Sequence, residues 1–291
     1  MKPAPFDYHR PATVEEAVSL LAALDREEPG AAKVLAGGQS LVPLLSMRLA
    51  APAHLVDINR LPGLDTLDVG GDAVRVGALA RHARVEHDPG VAAALPVLAE
   101  TLHQVAHPAI RNRGTVVGSL VHADPAAELP ALLVLLGGVV ELTGESGTRE
   151  VRAAEFFEGP MQSALRAGEI AVAARFPRPA AGSGSAFLEL SRRHGDYALC
   201  GVAALVEVGG QEAVTSARAA LLGVGPVPVL VDLASAASDG GFDPEAVASL
   251  VEDSIDPDDD VHATATYRRH LAGVLTRRAL ATASSRAGEA A

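Results

Sequence analysis

Val34-Leu35-Ala36-Gly37-Gly38-Gln39-Ser40-Leu41-Val42-Pro43-Leu44-Leu45 is the stretch that decides how this chain reads. Val34 to Ala36 is a short apolar run with the character of a buried strand. Two glycines and two small polar residues follow, and then Leu41, Leu44, Leu45 and Leu49 recur at helical spacing. Strand, glycine turn and helix start make a phosphate-binding arrangement. Glycines permit positive φ and let backbone N–H groups approach an anion, and the positive end of the next helix favours negative charge. Gln39 and Ser40 carry side-chain donors for phosphate oxygens. A tight turn with Ser40 as N-cap fits the same residues, so the stretch alone leaves two readings open. It lacks the third spaced glycine and later acidic residue of a dinucleotide fingerprint. It also lacks the Gly-Lys-Ser/Thr of a Walker loop.

Composition narrows the functions. A net charge of −12 over 291 residues argues against a general nucleic-acid binder, and aromatic residues at 3% leave little for base stacking. Cys200 is the single cysteine. This chain therefore makes no internal disulfide and cannot ligate an iron–sulfur cluster by itself; the apolar neighbours of Cys200 predict a buried structural thiol. Residues 1–10 lack the apolar core of a signal peptide, and the longest apolar runs are too short or interrupted to span a bilayer. The expectation is a soluble, cytoplasmic protein without membrane insertion.

Before the glycine stretch, the prolines at 3, 5 and 11 predict an extended segment. Thr13 and Glu16 predict a capping box, and Ala17, Val18, Leu21 and Leu24 one apolar helix face. With a strand at His54–Ile58, residues 1–58 read as β-α-β. Beyond it, Asp65–Ala78 predicts a hairpin turning at Gly70-Gly71-Asp72. Helical patterns cover Leu79–Glu86 and Pro96–Val105, and strands are expected at Val139–Thr143, Arg149–Val151 and Ile170–Pro177. The Pro/Ala/Gly/Ser run 177–184 marks a boundary, giving segments 1–58, 59–177 and 178–291. In the third, strands are expected at Phe187–Arg192, Ala203–Val208 and Ala219–Val224. Helices are expected at Pro244–Val251 and Thr264–Ala283, with a solvated acidic loop at Asp256–Asp260 and a frayed tail from Ser284. The ten histidines show neither a hydrolytic triad nor metal-ligand spacing, so no metal site is expected. His82 and His87, on an Arg-rich stretch, are expected to be solvated.

A second informative stretch runs from His107 to Pro130 and reads as turn formers and small residues that could line a ligand channel. Pro125 is expected in the first turn of a helix reaching Leu135, with Asp124 as its N-cap. Taken together, Phe6-Asp7-Tyr8-His9-Arg10-Pro11, Ala36-Gly37-Gly38-Gln39-Ser40-Leu41, Thr115-Val116-Val117-Gly118-Ser119 with His122-Ala123-Asp124-Pro125, Arg192-Arg193-His194-Gly195-Asp196-Tyr197-Ala198 and Tyr267-Arg268-Arg269-His270-Leu271 resemble a known family. It is that of the FAD-binding medium subunits of the molybdenum hydroxylases, which includes the carbon monoxide dehydrogenase medium subunit and the xanthine dehydrogenase flavin domain. The resemblance covers nearly the whole chain.

The resemblance implies an α+β fold of the type 2, PCMH/vanillyl-alcohol-oxidase-like kind. Two N-terminal subdomains hold FAD between them, beside a C-terminal α+β domain with a three-stranded sheet. It implies that Ala36, Gly37, Gly38, Gln39, Ser40 and Leu41, with Thr115, Val116, Val117, Gly118 and Ser119, cradle the pyrophosphate. Ala123 and Asp124 would join the cofactor site, Asp124 bonding a polar part of FAD. Tyr197 would sit beside the isoalloxazine, the alternative being a core tyrosine. One departure matters: the second motif of the family usually reads Thr-Ile-Gly-Gly-Ser, and Val117 stands at the first of those glycines. A Cβ there is expected to hinder backbone approach to the phosphate or to forbid a positive φ. By function, the resemblance implies an oxidoreductase subunit receiving electrons from a 2Fe-2S small subunit, itself fed by a molybdenum-cofactor large subunit, and passing them through FAD to an external acceptor. A free-standing FAD-dependent oxidase, dehydrogenase or monooxygenase acting on a small organic molecule is the alternative, and a structural subunit that has lost flavin is a third.

Overall fold

A computed structural model describes residues 1–209, 213–238 and 241–290. The first segment carries β1 (Asp7–His9), α1 (Val14–Glu27), β2 (Ala32–Leu35), α2 (Leu41–Met47) and β3 (His54–Asp57). The strands form a parallel sheet in the order β1-β3-β2, so the expected β-α-β unit is present. The Thr13 hydroxyl accepts from the Glu16 amide at 3.1 Å, while the Glu16 carboxylate reaches back to the Ala12 amide at 2.7 Å. This is a capping box displaced by one residue. Ala17, Val18, Leu21 and Leu24 are buried, as their spacing predicts.

The second segment adds β4 (Leu67–Asp68) and β5 (Ala73–Gly77), then a helical layer of α3 (His82–Glu86), α4 (Pro89–Ala94), α5 (Pro96–Gln104), α6 (Pro108–Arg111), α7 (Val116–His122) and α8 (Glu128–Leu135). It ends with β6 (Val139–Gly144), β7 (Gly147–Arg152), α9 (Ala153–Phe156), β8 (Phe157–Gly159), β9 (Gln162–Ser163) and β10 (Ile170–Pro177). The main sheet is antiparallel in the order β4-β5-β10-β6-β7, so the last strand of the segment lies at the centre of its sheet and closes it. Every residue of α8 is buried, in keeping with a helix that is apolar nearly all round. Its start differs from expectation. Ala127, not Asp124, is the N-cap, and Asp124 instead accepts the Ala126 amide at 2.9 Å in a local turn.

The third segment carries β11 (Ser183–Ser191), β12 (Ala198–Val208), β13 (Val214–Leu222), β14 (Val229–Asp232), α10 (Pro244–Ser254) and α11 (Ala265–Ala290). Its antiparallel sheet has four strands where three were expected, because the short β14 pairs with β13. Side chains alternate across β12: Ala203 and Leu205 join the core shared with the first two segments, and Ala204 and Val206 the core under α10 and α11. The tail, expected to fray, is helical as far as residue 290, and Ala291 lies outside the described residues. Helix α11 runs through it because Ala287 is fully buried and Arg286 binds Glu100 at 2.9 Å and the Ser185 carbonyl at 2.6 Å. Gly184 makes this contact possible, since a Cβ there would lie 1.9 Å from the Ala283 carbonyl oxygen. The acidic loop is solvated as expected, with Asp256, Asp258, Asp259 and Asp260 exposed, and it is tied down at one end: Asp260 accepts from Arg268 at 2.7 Å and from the amides of His262 and Ala263. No helix of the described residues is long and apolar enough to cross a membrane.

Candidate cofactor site

A cavity of about 500 Å³ lies where the Gly37–Ser40 loop, the Gly114–Ser119 turn and the β11–β12 connection at Gly195–Tyr197 converge. That volume suits a small-molecule or cofactor site. Ala36, Gly37, Gly38, Gln39, Ser40, Leu41, Thr115, Val117, Gly118, Ser119, Asp124 and Tyr197 all line it. Val116 and Ala123 do not. Val116 is fully buried in the core. Ala123 ends α7 in the left-handed region at φ 52° and gives its carbonyl to the Met161 amide at 2.9 Å.

The two glycines serve different purposes. Gly38 has φ 72° and turns the chain into α2. Gly37 packs backbone against backbone on the second loop: a Cβ there would lie 2.6 Å from the Arg113 carbonyl oxygen and 2.8 Å from Gly114 Cα. Ser40 sits in the αR region and makes no side-chain capping bond. Ser40 thus precedes α2 without capping it through its side chain: the Val42 amide goes to the Gly38 carbonyl at 2.9 Å, and Pro43 has no N–H. Among the described residues, the backbone N–H groups of Gly38, Gln39, Ser40 and Leu41 donate to nothing, and neither does that of Val117. On the second loop Thr115 caps α7, its hydroxyl accepting from the Gly118 amide at 3.2 Å.

Of the two expectations for Val117, the one about backbone conformation is corrected. The residue lies inside α7, not at a positive φ, and its side chain is 2% exposed and packed in the core. A valine is compatible with this helical backbone, so the departure from the family motif leaves the turn intact. The helix also corrects the reading of His107–Pro130 as a run of turns.

Tyr197 is 69% exposed at the cavity, which excludes a core tyrosine. Its hydroxyl pKa is raised, first by desolvation and then by Asp124 and Glu128. Two polar residues on the cavity, Glu128 and His82, and a third outside its lining, Glu189, were not foreseen. Glu128 is buried on the cavity wall, and desolvation pushes its carboxyl up to about 7. Glu189, on β11, is pushed up to about 8 by burial and by the Glu128 charge, and its Oε2 has no hydrogen-bond partner among the described residues. His82, expected in solvent, is 5% exposed and packs under Gly114 at the cavity. Burial holds its imidazole down at about 4, so it is neutral at pH 7. Nothing in the Arg-rich sequence around His82 signals this; burial there comes from the second loop folding over it. Cys200 is fully buried, its thiol pushed up to about 12 by desolvation, as a structural cysteine should be.

Free amides on two touching loops, hydroxyls beside them and an adjoining apolar chamber suit a ligand with a diphosphate and a planar ring, which is the chemistry of FAD. Residues 4–179 match the family model of the FAD binding domain in molybdopterin dehydrogenase. The chain belongs to the FAD-binding medium subunits of the molybdenum hydroxylases. Residues 185–283 match the C-terminal domain of the CO dehydrogenase flavoprotein. Among the medium subunits, the carbon monoxide dehydrogenase medium chain of Afipia carboxidovorans is 38% identical over 99% of both chains. The alpha subunit of the 6-hydroxypseudooxynicotine dehydrogenase complex of Paenarthrobacter nicotinovorans is 40% identical over 99% of this chain and 97% of its own. A solved structure of carbon monoxide dehydrogenase from Hydrogenophaga pseudoflava superposes with a TM-score of 0.91 at 37% identity, covering 98% of this chain and 99% of that one. The medium subunit described here is thus an FAD-dependent oxidoreductase subunit with the two-subdomain FAD-binding fold.

Proposed function

We propose that this medium subunit holds the FAD pyrophosphate between Ala36–Leu41 and Thr115–Ser119, and works within a complex with a molybdenum-cofactor large subunit and a 2Fe-2S small subunit. The observation that carries the site is the backbone contact of Gly37 with Arg113–Thr115, which brings the free amides of both loops to one place. Those amides neutralise phosphate charge without cationic side chains in either loop. Asp124 and Tyr197 then face the polar and ring portions of the cofactor. Bound FAD supplies the electron-transfer chemistry, and the protein fixes its position and surroundings. Tyr197, half out of the cavity, shields the ring from bulk water, and Glu128, its carboxyl pushed up to about 7, exchanges a proton near neutral pH beside it.

Electrons arrive from the small subunit and leave to an external acceptor. Cys200 is buried as the neutral thiol and cannot ligate a cluster, which suits iron–sulfur centres carried on a separate chain. The relatives named above act, by their names, on carbon monoxide and on 6-hydroxypseudooxynicotine, yet resemble this chain almost equally. Substrate choice accordingly belongs to another subunit. We assign residues 1–58 and 59–177 to the two flavin-binding subdomains and 178–291 to the C-terminal domain, and place the assembly in the cytoplasm. The absorption spectrum of the purified chain, with the released cofactor identified by chromatography, tests the reading. A flavin spectrum and released FAD support it, and a protein that stays colourless with added FAD overturns it. Copurification of two further chains from the native host tests the assembly.

A further inference from the structure

The backbone contact at Gly37 needs something to hold the two loops in register, and a side-chain relay behind them does so. Asn59 follows β3 and faces the first loop. Its Nδ2 donates to the Ala36 carbonyl at 2.7 Å and, more weakly, to the Leu35 carbonyl at 3.3 Å. Its Oδ1 accepts from Arg81 Nη2 at 2.7 Å. The other arm of the same guanidinium, Nη1, donates to the Arg113 carbonyl on the second loop at 2.5 Å. The Arg113 oxygen is the atom nearest to the position a Gly37 Cβ would take. Arg81 also pairs in an isolated antiparallel bridge with Thr115. Asn59 is itself oriented from behind: Asp57 Oδ1 accepts its backbone amide at 2.8 Å and its side-chain amide at 2.7 Å, and Asp57 Oδ2 accepts the Tyr8 hydroxyl. Neither Asn59 nor Arg81 lines the cavity.

We propose that Asn59 and Arg81 are positioning residues for the cofactor: one amide and one guanidinium fork form a strap that fixes the spacing of the two phosphate-binding loops. The inference rests on the assignment of those loops to the FAD pyrophosphate. A carboxamide donating at one end and accepting at the other spans only a fixed distance. A guanidinium presents parallel donors in a rigid plane, which a lysine ammonium cannot copy. With the strap in place, the free amides of Gly38–Leu41 and Val117 converge without rearrangement when the diphosphate arrives. Without it, the loops still touch through Gly37 but have no fixed register, and binding must order them. The relay also gives the Phe6–Pro11 segment a role, since Tyr8 holds the far end of it.

The test is titration of the deflavinated chain with FAD, and with ADP as competitor, for wild type, Asn59→Ala, Arg81→Ala, Arg81→Lys and the Asn59→Ala/Arg81→Ala double variant. The strap predicts a rise in FAD Kd of at least about tenfold in each single variant and the same factor in the ADP inhibition constant, because both ligands carry the diphosphate. Arg81→Lys should not recover wild-type affinity, and the double variant should lose little more than either single one, as two parts of one unit do. The wild-type ring absorption should be retained once the variants are saturated with FAD. Wild-type affinity in Arg81→Lys, or FAD loss without ADP loss, overturns the strap. So do additive losses in the double variant. Arg81→Lys and Asn59→Ala keep the question decidable if Arg81→Ala fails to fold. Failure of the wild-type chain to bind FAD would instead overturn the loop assignment.

Discussion

Gly37→Ala is the substitution that addresses the loop contact most narrowly. Its backbone φ is not in the left-handed region, so alanine adds no conformational strain of its own. What it adds is a methyl group 2.6 Å from the Arg113 oxygen, 2.8 Å from Gly114 Cα and 3.1 Å from the Thr115 nitrogen. All three are backbone atoms, and a carbon needs about 3.5 Å from such neighbours. The loops must therefore part by close to 1 Å. Inserting a methylene into a packed site costs about 1–3 kcal/mol. In the free chain the two loops can separate toward the cavity and escape part of that cost. In the loaded chain they cannot, because the diphosphate requires both sets of amides at once. Most of the penalty should thus fall on binding, and at about 1.4 kcal/mol per tenfold change it weakens FAD by roughly 5- to 150-fold. Isothermal titration of the deflavinated variant gives the affinity, and its melting temperature without FAD gives the stability. A Kd within twofold of wild type would refute the contact. A large loss of stability with unchanged affinity would show that the contact serves folding alone.

Other substitutions separate binding from packing. Val117→Gly removes a buried side chain from a helix and adds glycine's backbone freedom, so denaturant unfolding should show a loss of about 2–4 kcal/mol with no gain in FAD affinity; tighter binding would restore the view that the valine obstructs phosphate. Gly184→Ala drives a methyl into the α11 backbone and should lower stability by more than about 3 kcal/mol, checked by thermal melting. Tyr197→Ala should leave stability nearly unchanged, since the residue is largely exposed, while shifting the flavin potential measured by dye equilibration; an unchanged potential removes its assignment to the ring. Glu189 binds its proton more tightly folded than unfolded, so the wild type should lose stability as pH rises from about 4.5 to about 8. Glu189→Gln should flatten that fall and raise the melting temperature at pH 8 above that of the wild type.

Much of this was legible in the sequence because it is written locally. Helix α1 declares its cap and its apolar face within fifteen residues, and β10 begins and ends where its apolar run does. The glycine stretch announced a loop, yet not that Gly37 and Gly38 are glycines for unlike reasons. One reason is a backbone dihedral, and the other is a contact with residues more than seventy positions away. Shorter separations, of 22 to 32 positions, hide Asn59, Arg81 and His82. Each looks like an ordinary polar residue until the second loop folds over it. Helix α7 is hard to read because its three valines, glycine and serine carry weak propensity, and burial against the sheet makes it helical. The tail was misread in the same way: small residues from Ser284 suggest fraying, and only Gly184 beneath them explains why they pack.

The central claim is that backbone amides of two touching loops bind the diphosphate of FAD. Titration of the deflavinated chain with FAD, FMN and riboflavin in parallel tests it most directly. FAD is expected to bind at least about a hundredfold more tightly than FMN, which has the ring but only one phosphate, with ADP competing against FAD. FMN or riboflavin binding as tightly as FAD, with ADP failing to compete, would contradict it.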